Sequence, residues 1–237
     1  MVIFHEQKAV VFYAFKKSIP VFFGFLFLGV AFGIVLQSFG LAWPWALLTS
    51  GIIYAGSMQF ALIPLIGSAA DLPTVALMTL MVNSRHLFYG LSFVDMYREM
   101  GKKYPYMIFS LTDETYSVLC SCKGDMELVQ NNHEAAFYIS ALHQFYWVLG
   151  SVIGAVAGEL LTFDTSGIDF SMTALFVVIL VEQLKGGGRE ARISAAMAIV
   201  LAAAFLFTLG ADGFLLPTLI CTVAALVIMN CFGKEAA

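Results

Sequence analysis

The chain has 237 residues, 60% hydrophobic and 12% charged, with a formal net charge of −4 and a mean hydropathy of +0.88. Soluble domains carry roughly 25% charged residues, so this composition excludes an ordinary soluble domain and marks an integral membrane protein. The small net charge carries no signal for nucleic acid, and the longest polar gap, residues 121–134, is too short for a separate soluble core.

The apolar runs are about the length of a bilayer-spanning helix, roughly 20 residues, and lack the period-2 alternation of a barrel strand. The expectation is an all-α, polytopic membrane protein, one membrane-embedded domain over residues 1–237 with seven to eight membrane segments. His5, Lys8, Lys16 and Lys17 precede the first run. That run, residues 20–39, opens at a proline suited to a helix's first turn, and no small-residue cleavage site follows it. It reads as the first helix rather than a removed signal peptide. Residues 43–66 form the second segment, led by Trp43 and Trp45 at an interface. Residues 73–97 form the third and residues 104–121 the fourth. Residues 135–163, 170–184, 192–209 and 214–231 complete the set.

Positive charge should gather on the cytoplasmic side. With the N-terminus inside, Lys123, the Lys185/Arg189/Arg192 cluster and Lys234 obey the rule, whereas Arg98, Lys102 and Lys103 fall outside. Either the bias fails there, or the third or fourth segment is re-entrant or broken.

Glycines recur at four-residue spacing at Gly29/Gly33 and at Gly150/Gly154/Gly158, a pattern that lets helix backbones approach closely. A faint echo of "GVAFGIVLQSFG" in "GSVIGAVAGELL" is compatible with two repeated halves, as in many transporters. Cys120, Cys122 and His133 have no second cysteine pair to complete a four-ligand metal site, so the cysteines read as small apolar residues and no metal or other cofactor is expected.

Three polar clusters interrupt the apolar runs, and a charge at the bilayer centre costs at least about 2.5 to 3.5 kcal/mol, so each needs a reason. In "NSRHLFYG", an unbroken helix would put Asn83 and His86 on one face and Arg85 nearly opposite. A break near Asn83-Ser84 would turn them toward one cavity. In "SLTDETY", Ser110 with Asp113 fits a capping box, and Asp113 and Glu114 suit the positive end of a half-helix. Two adjacent carboxylates cannot both ionise cheaply in low dielectric, which suits a proton carrier. In "YAGSMQF", Gly56 and Ser57 interrupt the second segment, and Gln59 adds an amide. His143, Gln144, Glu159, Glu182 and Gln183 read individually as structural or interfacial.

Enzymatic chemistry finds no support. "HEAAF" at residues 133–137 lacks the second histidine of a zinc-protease motif, Ser57 is not in a G-x-S-x-G elbow, and no Walker-type lysine loop occurs. An ion channel is the rival class, although single asymmetric polar groups suit alternating access better than a selectivity ring.

At these clusters the sequence resembles the AzlC family of branched-chain amino acid permeases, through "GSMQF", "NSRHLFYG" and "LTDET" in that order. The likeness runs from about Ser18 to Leu226 and weakens after Gly158. It implies a secondary exporter of valine, leucine and isoleucine, extending to methionine, in the bacterial inner membrane, working with a small hydrophobic AzlD-like subunit. A zwitterion with an apolar side chain needs two charged poles and an apolar pocket. Arg85, with Asn83, Gly56 and Ser57, is assigned to the carboxylate. Asp113 or Glu114, with Gln59, is assigned to the ammonium, and Met58, Phe60 and Phe88 to the pocket. His86, Asp113 and Glu114 are assigned to proton coupling.

Overall fold

The computed structural model describes residues 2–128, 132–160, 177, 180–181, 184–185, 189–210, 214, 217–218, 220–222 and 224–226; the side chains at 2–7, 85, 87–88, 123–128, 132 and 189–191 are outside that description. All regular structure among the described residues is helical. The chain divides into two compact units, Met1–Ser171 and Met172–Ala237. The first contains the three polar clusters that interrupt the apolar runs.

Helix α1, Val2–Ser38, continues straight through Pro20 rather than starting there. Proline removes one backbone hydrogen bond, but a long apolar helix in a bilayer has no cheaper way to satisfy its backbone than to remain a helix. The second segment is two helices, α2 (Trp43–Ile52) and α3 (Gly56–Gly67). The third is α4 (Leu72–Leu91) followed by the short α5 (Val94–Glu99), and the fourth is α6 (Tyr104–Phe109) followed by α7 (Asp113–Leu128). Helix α8 runs Asn132–Leu160. In the second unit, α9 covers Arg189–Leu209. The predicted segments 170–184 and 214–231 fall largely outside the described residues.

Among the described residues, three helices are long and apolar enough to cross a membrane, Lys8–Ser38, His133–Leu160 and Arg192–Leu209. Outward-facing Phe12, Phe23 and Phe27 on α1, each at least 66% exposed, fit an apolar surround rather than water. The misplaced positive charges at Arg98, Lys102 and Lys103 lie where both the third and fourth segments are discontinuous.

The core of the first unit is the α1–α8 pair, and the glycine ridges make it. A Cβ added at Gly33 would stand 2.1 Å from the Ser151 carbonyl oxygen, and one at Gly154 would stand 2.1 Å from the Val30 carbonyl oxygen. Two helix backbones touch there with no side chain between them. Around this seam Phe25, Phe32, Trp147 and Phe60 pack ring on ring, with Phe32–Phe60 centroids 5.5 Å apart. At the polar end, Lys103 pairs with Glu134 and lies over the Phe137 ring, while His133 meets Glu99 at 3.4 Å. The residues of the broken zinc motif thus hold α6 and α5 to the start of α8.

Candidate functional site

The first break, residues 53–55, follows from a short run that resists helix. Tyr54 has φ +43°, a left-handed conformation that costs a non-glycine residue about 1–2 kcal/mol, and the Thr49 carbonyl accepts both the Ile53 and Tyr54 amides. Gly56 then opens α3. No side chain caps that end, since Ala55 precedes it. A Cβ at Gly56 would lie 3.1 Å from the Trp147 ring, so the close approach of that indole selects glycine. Ser57 occupies the first turn of α3, where backbone N–H groups and the positive end of the dipole favour an anion.

The second break, residues 110–112, ends α6 and starts α7. The expected capping box from Ser110 to Asp113 does not form. Thr112 is the cap instead, its hydroxyl accepting the Thr115 amide at 3.3 Å. The helix begins two residues later than the Ser110 pattern suggests, so Asp113 is its first residue and cannot reach back as a box requires. Asp113 and Glu114 fill the first turn, where negative charge complements the dipole. The Ser110 hydroxyl is fully buried, with no hydrogen-bond partner among the described residues.

The two breaks meet. The Tyr54 ring lies 6.0 Å from Phe109 at the end of α6. The Tyr54 hydroxyl is buried near Thr112 and Thr115 without a well-formed hydrogen bond.

Against α7 lies α4. Its imidazole at His86 places Nε2 3.6 Å from Asp113 Oδ1, with both side chains about a quarter exposed. Three residues further along each helix, Tyr89 and Tyr116 stack with centroids 4.6 Å apart, and Phe93 meets Tyr116 edge-on at 5.8 Å. The His86–Asp113 pair is thereby walled on one side by aromatic rings. The Asn83 amide oxygen is enclosed on the same helix with no hydrogen-bond partner among the described residues.

The expected break near Asn83-Ser84 is absent. Helix α4 is continuous from Leu72 to Leu91, and the Ser84 hydroxyl donates to the Met81 carbonyl at 2.8 Å, so the small polar residue is satisfied within the helix. Without glycine or proline at the spot, nothing forces the helix open. On this unbroken helix position 85 is nearly opposite position 83, and the Arg85 and Phe88 side chains lie outside the described residues.

Other expected groups turn inward. The Gln59 amide nitrogen donates to the Ser50 hydroxyl at 3.1 Å and its oxygen accepts the Trp147 indole N–H at 2.9 Å, in a fully buried position. Met58 and Phe60 are buried too, with Phe60 in the ring stack of the α1–α8 core. Sequence reading gave Tyr54, Tyr89, Thr115, Tyr116, His143 and Gln144 no part in the site. Their signal was present but weak: polar and aromatic residues spaced three or four apart on segments that only folding brings side by side.

Discontinuous helices meeting at half-buried polar side chains define a class, an integral membrane protein with broken segments rather than a bundle of plain spans. The family model described as AzlC protein matches residues 20–161. AzlC of Bacillus subtilis, a branched-chain amino acid transport protein, is 37% identical over 92% of this chain and 84% of its own length. An uncharacterized membrane protein of Helicobacter pylori is 37% identical over 92% of this chain and 93% of its own. The inner membrane protein YgaZ of Escherichia coli is 27% identical over 82% and 81%. No solved structure matches. The chain belongs to the AzlC family.

Proposed function

We propose that the protein is a secondary transporter that exports branched-chain amino acids across the bacterial inner membrane, with movement coupled to protons. The observation that carries this reading is the His86–Asp113 pair, set where α7 begins, at the break whose α6 end packs on Tyr54 of the first break. In this reading the substrate ammonium meets Asp113 or Glu114, and its carboxylate meets the first turn of α3 at Gly56 and Ser57 together with Arg85 and Asn83. Gln59 acts at one remove, holding α3 through Ser50 and Trp147. The apolar side chain lies against Tyr89 and Tyr116, in place of the buried Met58 and Phe60.

His86 and Asp113 form a natural proton-coupling pair, because an imidazole nitrogen and a carboxylate oxygen 3.6 Å apart are placed to share one proton. Glu114, one residue on, shares the duty. The chain acts as one membrane-embedded domain of seven to eight segments arranged as two repeated halves. Support for the halves comes from α1 and α8, whose echoing glycine motifs pack on each other. A small hydrophobic AzlD-like subunit completes the transporter.

Counterflow of labelled leucine and valine in proteoliposomes tests the reading. A carrier gives saturable uptake driven by unlabelled substrate inside. Flux proportional to concentration, without saturation or counterflow, would show a channel instead.

A further inference from the structure

Helix α8 bears a polar edge of which the transport reading uses only Trp147; His143, Gln144 and Trp147 fall on one side of a helix turning about 100° per residue. Each group on this edge reaches a different half-helix. The Gln144 amide nitrogen donates to the Gly51 carbonyl in the last turn of α2 at 3.1 Å. Its amide oxygen accepts the hydroxyl of Tyr106 on α6 at 2.8 Å. His143 Nδ1 meets the Thr115 hydroxyl in the first turn of α7 at 2.9 Å. The Trp147 indole N–H donates to Gln59 on α3 at 2.9 Å. All four half-helices, on both sides of both breaks, are therefore bonded to a single helix.

That helix is itself immobilised. Gly150 and Gly154 of α8 meet the α1 backbone so closely that a methyl group at either would strike the Leu26 or Val30 carbonyl oxygen. Broken helices in a bilayer leave backbone carbonyls without partners, and a side chain from a neighbouring helix is one of the few groups able to supply them. Gln144 does this for α2 and uses its other end on α6. One amide therefore bridges the last turn of α2, just before the first break, to α6, just before the second.

We propose that α8 is the fixed spine of the transport site and that Gln144 is its positioning residue, setting the spacing of the two breaks between which the substrate's poles are held. This rests on the transport reading above. A purely stabilising role would lower the melting temperature of a Gln144 variant and leave its substrate affinity alone. A positioning role changes affinity in protein that remains folded.

The test uses full-length wild type, Gln144→Met, Tyr106→Phe and the double variant in lipid nanodiscs and proteoliposomes. The readouts are leucine counterflow and amide hydrogen exchange at residues 51–56 and 107–112. Gln144→Met should raise the half-saturation for leucine roughly tenfold at little cost in maximal rate, as expected for losing two hydrogen bonds. Exchange should rise at both breaks together. Tyr106→Phe should show a smaller change in the same direction, and the double variant should be no worse than Gln144→Met, because both substitutions cut the same link. Unchanged half-saturation in folded Gln144→Met would overturn the proposal, as would faster exchange at one break alone. If Gln144→Met does not fold, Tyr106→Phe carries the test, since it removes one hydroxyl from a half-buried site. If wild type shows no counterflow, the transport reading fails, and exchange at the two breaks alone decides whether Gln144 ties them.

Discussion

At the scale of single residues, the pair His86–Asp113 carries the most weight. Removing Asp113 takes away the carboxylate 3.6 Å from the His86 imidazole, and with it the proton partner that the pair supplies. Asp113→Asn keeps the shape and can still hydrogen-bond, but it can neither hold a proton in turn nor counter His86. Transport driven by a pH gradient in vesicles should be lost, while exchange of internal for external leucine persists at reduced rate. Unaltered pH-driven transport in this variant would remove Asp113 from the coupling machinery. Gln59 teaches the opposite lesson. An amide in an apolar run reads as a ligand group, yet both its ends are taken up by Ser50 and Trp147. Sequence showed that the amide needed partners and could not show that they were side chains of the protein itself.

At the scale of elements, glycine decides where backbones touch and breaks decide where they part. Gly33→Ala and Gly154→Ala each put a methyl group 2.1 Å from a carbonyl oxygen. Neither oxygen belongs to a flexible side chain that could swing aside. Overpacking of this kind costs about 1–3 kcal/mol, with backbone contacts at the upper end. Thermal unfolding in detergent should show both variants clearly destabilised. Gly24→Ala, with nothing within 4 Å of its new methyl, should melt within a degree or two of wild type. The four-residue glycine spacing was legible in advance, and so was the discontinuity at Gly56. The exact start of α7 was not. Ser110 and Thr112 are both competent caps, and the choice fell to Thr112, whose hydroxyl joins Thr115 and through it His143 on α8.

At the scale of the molecule, the first unit is a rigid α1–α8 pair with two broken segments bonded to it and α4 laid across α7. A transporter needs such an asymmetry, because alternating access moves one part of a molecule against another around a held substrate. The outward-facing phenylalanines of α1 give a lipid or a small membrane subunit an apolar surface of equal quality. If a small partner is required for assembly of the working transporter, counterflow from the co-expressed pair should exceed that of the single chain by at least about tenfold. Equal rates would make the chain sufficient on its own.

Composition and hydropathy alone determined that this is a helical membrane protein, because a chain with so few charges cannot dissolve its surface and must satisfy its backbone internally. Local motifs also pointed to the family, which similarity to known relatives shows, and they marked Gly56-Ser57, Asn83 to Gly90 and Asp113-Glu114 as polar groups costly in a bilayer. Tertiary structure alone decided which of those groups face one another. It left α4 unbroken, set His86 against Asp113, turned Gln59 into the core and brought Gln144 between the two breaks. The physical reason is that a hydrogen bond or ion pair between helices is set by packing geometry, and here the packing geometry follows from a glycine seam between α1 and α8 that lies more than a hundred residues apart in the chain.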